Sequence, residues 1–456
     1  MAADRLVSIL GLAFGDCGKG LYTDHLCRVW NAHTIVRFNG GAQAGHNVVL
    51  PDGRHHTFSQ FGSGTFQPGA RTFLAHPVIV HPTALLVEAE YLRRSGVPDA
   101  LARLSIDPRC RLTTPLHQAA GKVRELLRGQ NFHGTCGVGI GETVHQSILS
   151  PEDTMHFQDL NHPTLAKEKL EALRSRLLAE LDGDPGPPDL ETERLVLRDP
   201  SINELWLQQT CALLSQVPEV SENALSERLH GPGTVIFEGA QGFLLDEWHG
   251  FHPHTTWSSP RPASVDALVQ EAGLQTKVHH FGVLRSYLTR HGRGPLPTED
   301  PALDCLGETH NSNKGWQGQF RRGHPDAVLL RYAMTVAGPL DGLLVTHLDV
   351  FDKDRALNWC EGYRAPLQPG DETLCIRPSG NHEIVADLKW NAAHDLTHQA
   401  KLTDFINTVK PMFEGPVGSA TELLERVEST TKCHVFLGSN GPSQSSIQGL
   451  RPFLVS

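Results

Sequence analysis

Residues 11–20 read Gly-Leu-Ala-Phe-Gly-Asp-Cys-Gly-Lys-Gly, which sets a carboxylate and an ammonium inside a glycine turn directly after an apolar strand. The run Leu6–Leu12 is apolar enough for a buried strand, and Lys19–Val29 continues as a helix. The turn therefore falls where backbone N–H groups at a helix N-terminus face an anion. Gly15, Gly18 and Gly20 let the main chain approach a triphosphate, Lys19 neutralises its charge, and Asp16 can hold Mg²⁺ or take a proton. The loop is not of the Walker A type, because position 13 is Ala and Gly20 stands where Ser or Thr follows the lysine. On its own such a turn would only relieve crowding between a strand and a helix. It does not stand alone.

A second constellation, Arg37-Phe-Asn-Gly-Gly-Ala-Gln-Ala-Gly-His-Asn-Val-Val49, is again a strand opening into glycines, now ending on His46. A histidine there can stabilise a transferring γ-phosphoryl group or protonate an oxygen. An Asp and a His on adjacent glycine loops suit activation of a carbonyl oxygen by phosphorylation. Two further runs, Phe237-Glu-Gly-Ala-Gln-Gly-Phe-Leu-Leu-Asp246 and Val345-Thr-His-Leu-Asp-Val350, each end a strand with polar groups. The carboxyl ends of an open parallel sheet are where ligands bind.

These loops need a large scaffold, and 456 residues with 39% apolar content can bury one. A net charge of −11 argues against a basic surface for nucleic acid. The start of the chain has no basic segment followed by a long apolar one, and no run approaches membrane-spanning length, so the expected location is cytoplasmic. The nine cysteines are scattered without a CxxC pair and read as free thiols. Among the 26 histidines, His249, His252 and His254 sit close together with His279 and His280 further on, but their spacing fits no ligand face and Trp248–Trp257 reads as an irregular loop. Buried strands of a parallel sheet are expected at Leu6–Leu12, Thr34–Phe38, Val78–Val80, Thr234–Glu238, Val278–Leu284, Leu343–Leu348 and His434–Leu437. A helix starting at Thr164 places Leu170, Leu173, Leu177, Leu178 and Leu181 on one face, then stops at the Gly- and Pro-rich run 182–188. Residues 151–230 are thus a mostly helical insertion in an α/β chain with a large, mainly parallel central sheet and a P-loop-like phosphate turn.

Together these segments resemble the adenylosuccinate synthetase family through most of the chain. Further matching motifs are Arg103-Leu-Ser-Ile-Asp, Leu116-His-Gln, Gly134-Thr-Cys-Gly-Val-Gly-Ile-Gly141, Gly282-Val-Leu-Arg-Ser-Tyr-Leu-Thr-Arg290, Pro297-Thr-Glu299, Asp326-Ala-Val-Leu-Leu-Arg331 and Ser439-Asn-Gly-Pro442. The resemblance implies a single domain over 1–456 and a homodimer. It also implies a reaction in which GTP and Mg²⁺ phosphorylate the 6-oxygen of IMP and aspartate displaces the phosphate. By the same resemblance Asp16 is the general base and a magnesium ligand, with the carbonyl of Gly45 as another. His46 assists phosphoryl transfer, Lys19 with Gly15, Gly18 and Gly20 holds phosphates, Asn47 lies on the nucleotide side, and Gln241 contacts the base. Asp349 reads the guanine with Ser439 and Gly441, so that 375–456 completes the guanine site. His347 stands where the family has a lysine.

The acceptor side departs from the family. Its 5′-phosphate is held there by an Asn, two threonines and an arginine from the other subunit, and the matching positions are Gln43, Cys136, Thr256 and Ser150; Thr135 lies beside Cys136. The loop that holds aspartate, usually Thr-Thr-Gly-Arg-Pro-Arg-Arg, reads Trp316-Gln-Gly-Gln-Phe-Arg-Arg322, so its first arginine is Gln319 while Arg321 and Arg322 remain. Val138 and Glu142 also depart from the pattern around them, and Cys17 stands where the family has Glu. Each charged contact is worth roughly 1.5–3 kcal/mol, so losing two weakens phosphate and carboxylate binding well over tenfold. The leading expectation is an intact phosphoryl-activating machinery with an altered specificity for the acceptor, alone or together with the amine. The alternatives are the ordinary reaction of IMP, L-aspartate and GTP, with a nearby base such as Arg261 or Arg290 replacing the lost arginine, and a nucleotide-binding homologue without synthesis activity.

Overall fold

The computed structural model describes residues 3–183, 187–307, 311, 316–353, 355–366, 368–381 and 383–453. Of the connection expected at 182–188, residues 184–186 lie outside the described residues. Short apolar runs supply ten strands of one sheet. These are β1 (Arg5–Gly11), β2 (Thr34–Arg37), β3 (Arg71–Leu74), β4 (Leu104–Ile106), β5 (Glu219–Val220), β6 (Thr234–Gly242), β7 (Val278–Arg285), β8 (Gly342–Thr346), β9 (Val435–Ser439) and β10 (Ile447–Gly449). They lie in the order β10-β9-β8-β7-β1-β6-β2-β3-β4-β5, parallel throughout except for the antiparallel β9–β10 pair at one edge. Every residue of β6 and β8 is buried, as strands covered on both faces must be.

One expected strand goes elsewhere. Val78–Val80 contributes Ile79–Val80, which pairs in parallel with Arg111–Leu112 in a separate two-stranded ribbon, and β3 takes the place beside β2. The reason is length: only two extended residues precede the helix Pro82–Arg94, which His81 caps by accepting from the N–H of Ala84. Residues 151–230 hold the helices Pro163–Leu181, Pro188–Arg198, Ser201–Leu214 and Ala224–His230, and also the short edge strand β5. The first of them buries Ala166, Leu170, Leu173, Leu177 and Leu181 and leaves Leu178 half-buried. Its apolar stripe shares one core cluster with Leu74 of β3 and Leu104 and Ile106 of β4. No described helix is long and apolar enough to cross a membrane.

Because the strands are parallel, their carboxyl ends share one edge, and register decides what meets there. Gly11 lies opposite both Gly242 and Val283, Arg285 opposite Thr346, and Val345 opposite Gly438. The register of β1 on β6 slips between Ile9, opposite Glu238, and Gly11, opposite Gly242. Gly239, Ala240 and Gln241 thus face a single β1 residue and bulge out of the ladder, which re-aims Gln241 toward the loops.

Candidate active site

The glycine turn after β1 is locked by close approach. A Cβ on Gly242 would lie 2.0 Å from the carbonyl oxygen of Ala13, so the main chains of the two loops touch there. Gly18, the residue before helix Lys19–Val29, has φ +91°, and a Cβ on it would lie 2.6 Å from Cγ2 of Thr346. Thr346 in turn donates through Oγ1 to the carbonyl of Cys17 at 2.9 Å. Lys19 is 2% exposed and folds back so that Nζ donates to the Gly15 carbonyl at 2.7 Å. Cys17 is buried, and burial pushes its thiol up from the ordinary value, with Lys19 opposing. It fills space beneath the loop as a protonated thiol. Asp16 stays half-exposed at the mouth.

His46 opens the strand His46–Val49, which pairs with His55–Phe58, and both of its ring nitrogens have oxygen partners. Nδ1 lies 2.6 Å from Oε1 of Glu238 and Nε2 lies 3.1 Å from the carbonyl of Ala240. Glu238 is wholly buried on β6. It also accepts from the N–H of Ser63 at 3.0 Å and from its hydroxyl. Burial alone would raise the Glu238 carboxyl, but His46, Arg37 and Ser63 more than offset that and hold it at about 2. Burial, the largest effect, holds the His46 ring below its ordinary value even though Glu238 pulls it up. Since both partners can only accept, the two contacts coexist only when both ring nitrogens carry protons.

Gln241 sits in a network of amides and hydroxyls. Asn39 donates to its Oε1 at 3.0 Å, and its own Nε2 donates to the Ser258 carbonyl at 2.8 Å. Ser258 Oγ accepts from Asn39 Nδ2 at 2.9 Å and from the N–H of Gly40 at 2.7 Å. Gln43 lies across Gly40: a Cβ there would be 3.1 Å from Gln43 Nε2 and 3.4 Å from Gln241 Oε1. Both amide atoms of Gln43 are buried without a hydrogen-bond partner among the described residues. Leaving each such atom unmet costs about 1–3 kcal/mol, and the expense is explained if a ligand meets them.

On the far side, Ser439 ends β9 and donates through Oγ to the Gly441 carbonyl at 2.7 Å. His347 follows β8 with φ +61° and its carbonyl accepts from Ser286 Oγ at 2.6 Å. Burial, with Arg285 adding to it, holds the His347 ring well below its ordinary value, so it is a neutral side chain where the family has a lysine. Asp349 lies two residues on, in the 3₁₀ turn Leu348–Lys353. The side chain of Asn47 is occupied inside its hairpin, accepting from Thr57 Oγ1 at 2.6 Å and facing His55 Nε2 at 3.1 Å. Gly45 is exposed at the rim.

The acceptor-side positions are less tightly tied. The N–H of Thr135 donates to Glu125 at 3.2 Å, its neighbour Cys136 is half-buried with a thiol raised by burial, and the N–H of Thr256 donates to the Leu245 carbonyl at 3.0 Å. Gln319 is exposed. Arg321 is engaged by Glu299 at 2.7 Å and the Gly294 carbonyl at 2.8 Å, and Arg322 by Asp304 at 2.7 Å. Arg290 is buried over Phe14 and donates to the carbonyls of Arg293, Pro295 and His254, while Arg261 Nε donates to the Val336 carbonyl at 2.8 Å. Neither is directed to Ser150. Instead Arg176, from the helix Pro163–Leu181, donates to the Ser150 hydroxyl and lies 3.7 Å from Asp153. Of the clustered histidines, His249 meets Asp246 at 3.1 Å, and His280 meets Ser8 at 2.7 Å and Asp266 at 3.2 Å.

Comparison with known proteins bears on this geometry. The family model described as adenylosuccinate synthetase matches residues 8–448. The chain belongs to the adenylosuccinate synthetase family. It is 30% identical to adenylosuccinate synthetase of Neisseria gonorrhoeae (strain NCCP11945), over 97% of this chain and 98% of that one. It is 34% identical to that of Alkalilimnicola ehrlichii, over 84% of each. Among solved structures it resembles the fully ligated adenylosuccinate synthetase of Plasmodium falciparum, with TM-score 0.74 and 19% identity over 98% of this chain and 100% of that one. The cyanophage S-2L succinoaminodeoxyadenylate synthetase PurZ, bound to dGMP and to dATP as an energy donor, aligns with TM-score 0.60 and 16% identity over 99% and 96%. Adenylosuccinate synthetases are GTP-dependent C–N ligases acting on small molecules, and this member keeps their large parallel sheet.

Several residues that the adenylosuccinate synthetase loops depend on are not singled out by spacing. Glu238 and Asn39 lie inside runs that the motifs already cover, and their inward strand and turn positions are the available signal. Ser63, Ser258 and Arg176 come from segments with no motif at all. Only folding brings them to the site.

Proposed function

We propose that this chain uses GTP and Mg²⁺ to phosphorylate the 6-oxygen of a purine nucleotide, or a similar carbonyl, and then joins the activated carbon to aspartate or a related amine, with an acceptor preference that differs from IMP. The observation that carries the reading is a contrast within one cleft. Asp16, Lys19, His46 and Gln241 converge from the ends of β1, β2 and β6 with their partners in place. At two positions where the family has arginines the chain carries the neutral Ser150 and Gln319, and Gln43 and Cys136 replace an Asn and a Thr.

The residues present fit the nucleotide and the ion. Gly18 and Gly242 leave main-chain room that a Cβ would fill, and the Asp16 carboxylate and the Gly45 carbonyl are the hard oxygen donors that Mg²⁺ takes. Mg²⁺ bound by them supplies charge neutralisation for phosphoryl transfer. Asp16, open to the cleft, removes a proton from the acceptor so that its oxygen attacks. His46, braced at Nδ1 by Glu238, faces the phosphoryl oxygens with Nε2 and donates to them when both ring nitrogens carry protons as charge builds there. Lys19 neutralises the phosphates by exchanging the Gly15 carbonyl for them. Gln241, held by Asn39 and the Ser258 carbonyl, orients the base, and the unmet amide of Gln43 lies next to it. Asp349, Ser439 and Gly441 form the guanine end, with His347 neutral.

One observation favours the ordinary reaction with IMP. Arg176 carries a guanidinium to the Ser150 hydroxyl, so a cation is present where the sequence has lost one. The exposed Ile148 and Leu149 next to it, on the helix Ile140–Leu149, support a homodimer in which that cation faces the other subunit.

The test is a phosphate-release screen with GTP or ATP as donor, L-aspartate and other amino acids as amines, and IMP, GMP, dGMP, dIMP and free bases as acceptors. dGMP belongs in it because PurZ binds that nucleotide. Turnover of IMP and aspartate as fast as that of any other pair ends the altered-preference reading. Absence of turnover with every combination ends the ligase reading.

A further inference from the structure

His291 is the last residue of the strand Leu288–His291, which pairs antiparallel with Phe320–Gly323 and sets His291 opposite Phe320. The two rings lie 4.8 Å apart, and the N–H of Gly292 donates to the Gln319 carbonyl at 2.9 Å, so the pair is pinned to the 316–322 loop. The imidazole reaches back across the cleft. Its Nε2 lies 3.4 Å from Oδ2 of Asp16 and 3.2 Å from Oδ1 of Asn311. Its Nδ1 is buried without a hydrogen-bond partner among the described residues. The hydrogen bond to Asn311 Oδ1 assigns a proton to Nε2, and the Asp16 carboxylate lies at ion-pair distance from the same nitrogen. Among the described residues, His291 is the side chain that meets the Asp16 carboxylate.

Asp16 needs such a contact, because it sits between Gly15 and Gly18, and a carboxylate on a glycine loop has several rotamers to choose from. We propose that His291 is a positioning residue for Asp16: the Nε2 edge of its ring, 3.4 Å from Oδ2, pairs with that oxygen and leaves Oδ1 turned toward the acceptor. This rests on the reading of Asp16 as the base. Contacts that orient a reacting group are worth about 10–100-fold in rate, and a misplacement of about 1 Å costs a similar factor.

Two substitutions separate the donor from the ring. H291F keeps a ring against Phe320 and removes the donor, whereas H291Q keeps a donor near the Nε2 position and removes the ring. With GTP, L-aspartate and either IMP or dGMP as probes, H291F is expected to lose about 10–100-fold in kcat with KM for GTP changed by less than about threefold, and H291Q to recover most of that loss. Activity retained in H291F and lost in H291Q means that only ring packing matters, and the proposal is overturned. A parallel rise in KM for GTP in both variants means collapse of the loop and overturns it too. D16N distinguishes the two levels: full turnover in D16N removes the base reading itself, whereas loss in D16N with full activity in H291F removes only the role of His291. A readout independent of the acceptor is the imidazole ¹⁵N spectrum of the unliganded full chain, with the His291 signals assigned by their absence in H291F. The Nε2–H tautomer is expected, shifting in D16A; an Nδ1–H tautomer, or no change in D16A, overturns the proposal.

Discussion

Replacing Glu238 by Gln removes one charge from the interior and almost no volume. Glu238 is wholly buried and held at about 2 against an ordinary 4.5, an interval worth roughly 3 kcal/mol if all of it is lost. The carboxyl is depressed in the folded state, so its contribution is present in full above about pH 4.5 and is lost as pH falls toward about 2. Without the carboxylate nothing pulls the His46 ring up, while burial, Arg37 and Lys19 still pull it down, so the ring is held neutral. One charge-assisted bond is lost, about 1.5–3 kcal/mol, which predicts a fall of about 10–100-fold in kcat for phosphate release. KM for GTP should stay within about threefold, because the phosphate loop is untouched. Urea unfolding of the parent and of E238Q should differ by a constant amount from pH 8 to pH 5, with the gap narrowing below pH 4.5. Turnover within twofold of the parent, or a gap that widens on acidification, refutes the account of the His46–Glu238 pair.

Asp16→Asn should abolish phosphate release while GTP affinity by calorimetry changes by less than about tenfold; undiminished turnover removes Asp16 as the base. Gln319→Arg restores one charged contact and should raise kcat/KM for IMP with aspartate about tenfold or more, and no rise counts against lost anion contacts as the cause of altered specificity. Arg176→Ala should lower IMP activity by a similar factor if that guanidinium replaces the missing arginine, with the unfolding midpoint monitored to separate a loss of stability; unchanged kinetics ends that substitution argument. Asp349→Asn should narrow the preference for GTP over ATP about tenfold, measured as the ratio of kcat/KM values, and equal use of both donors by the unsubstituted protein would show that guanine is not read there.

Much of the scaffold is legible in the order of residues. Leu6–Leu12 followed by a glycine turn and Lys19–Val29 could only be strand, loop and helix, because local periodicity and glycine content are properties of neighbouring residues. The leucine stripe of Pro163–Leu181 follows for the same reason. Val78–Val80 shows the limit: two extended residues look alike whichever ribbon they join, and pairing is decided by chain that lies elsewhere. The same limit applies to the site. Asp16, Lys19, His46 and Gln241 announce themselves through the glycine loops that carry them. What fixes their chemical state does not, since Glu238 meets His46 across 192 positions and Asn39 meets Gln241 across 202. His291 likewise reaches Asp16 from the far end of the chain's order. The amino-acid sequence by itself determined the family, the phosphate loop and the groups able to move protons and phosphate. Tertiary structure alone decided which of those groups are charged, which are braced, and that Arg176 rather than Arg261 or Arg290 stands at Ser150. Charge state and orientation depend on burial and on partners brought together through space, and spacing along the chain records neither.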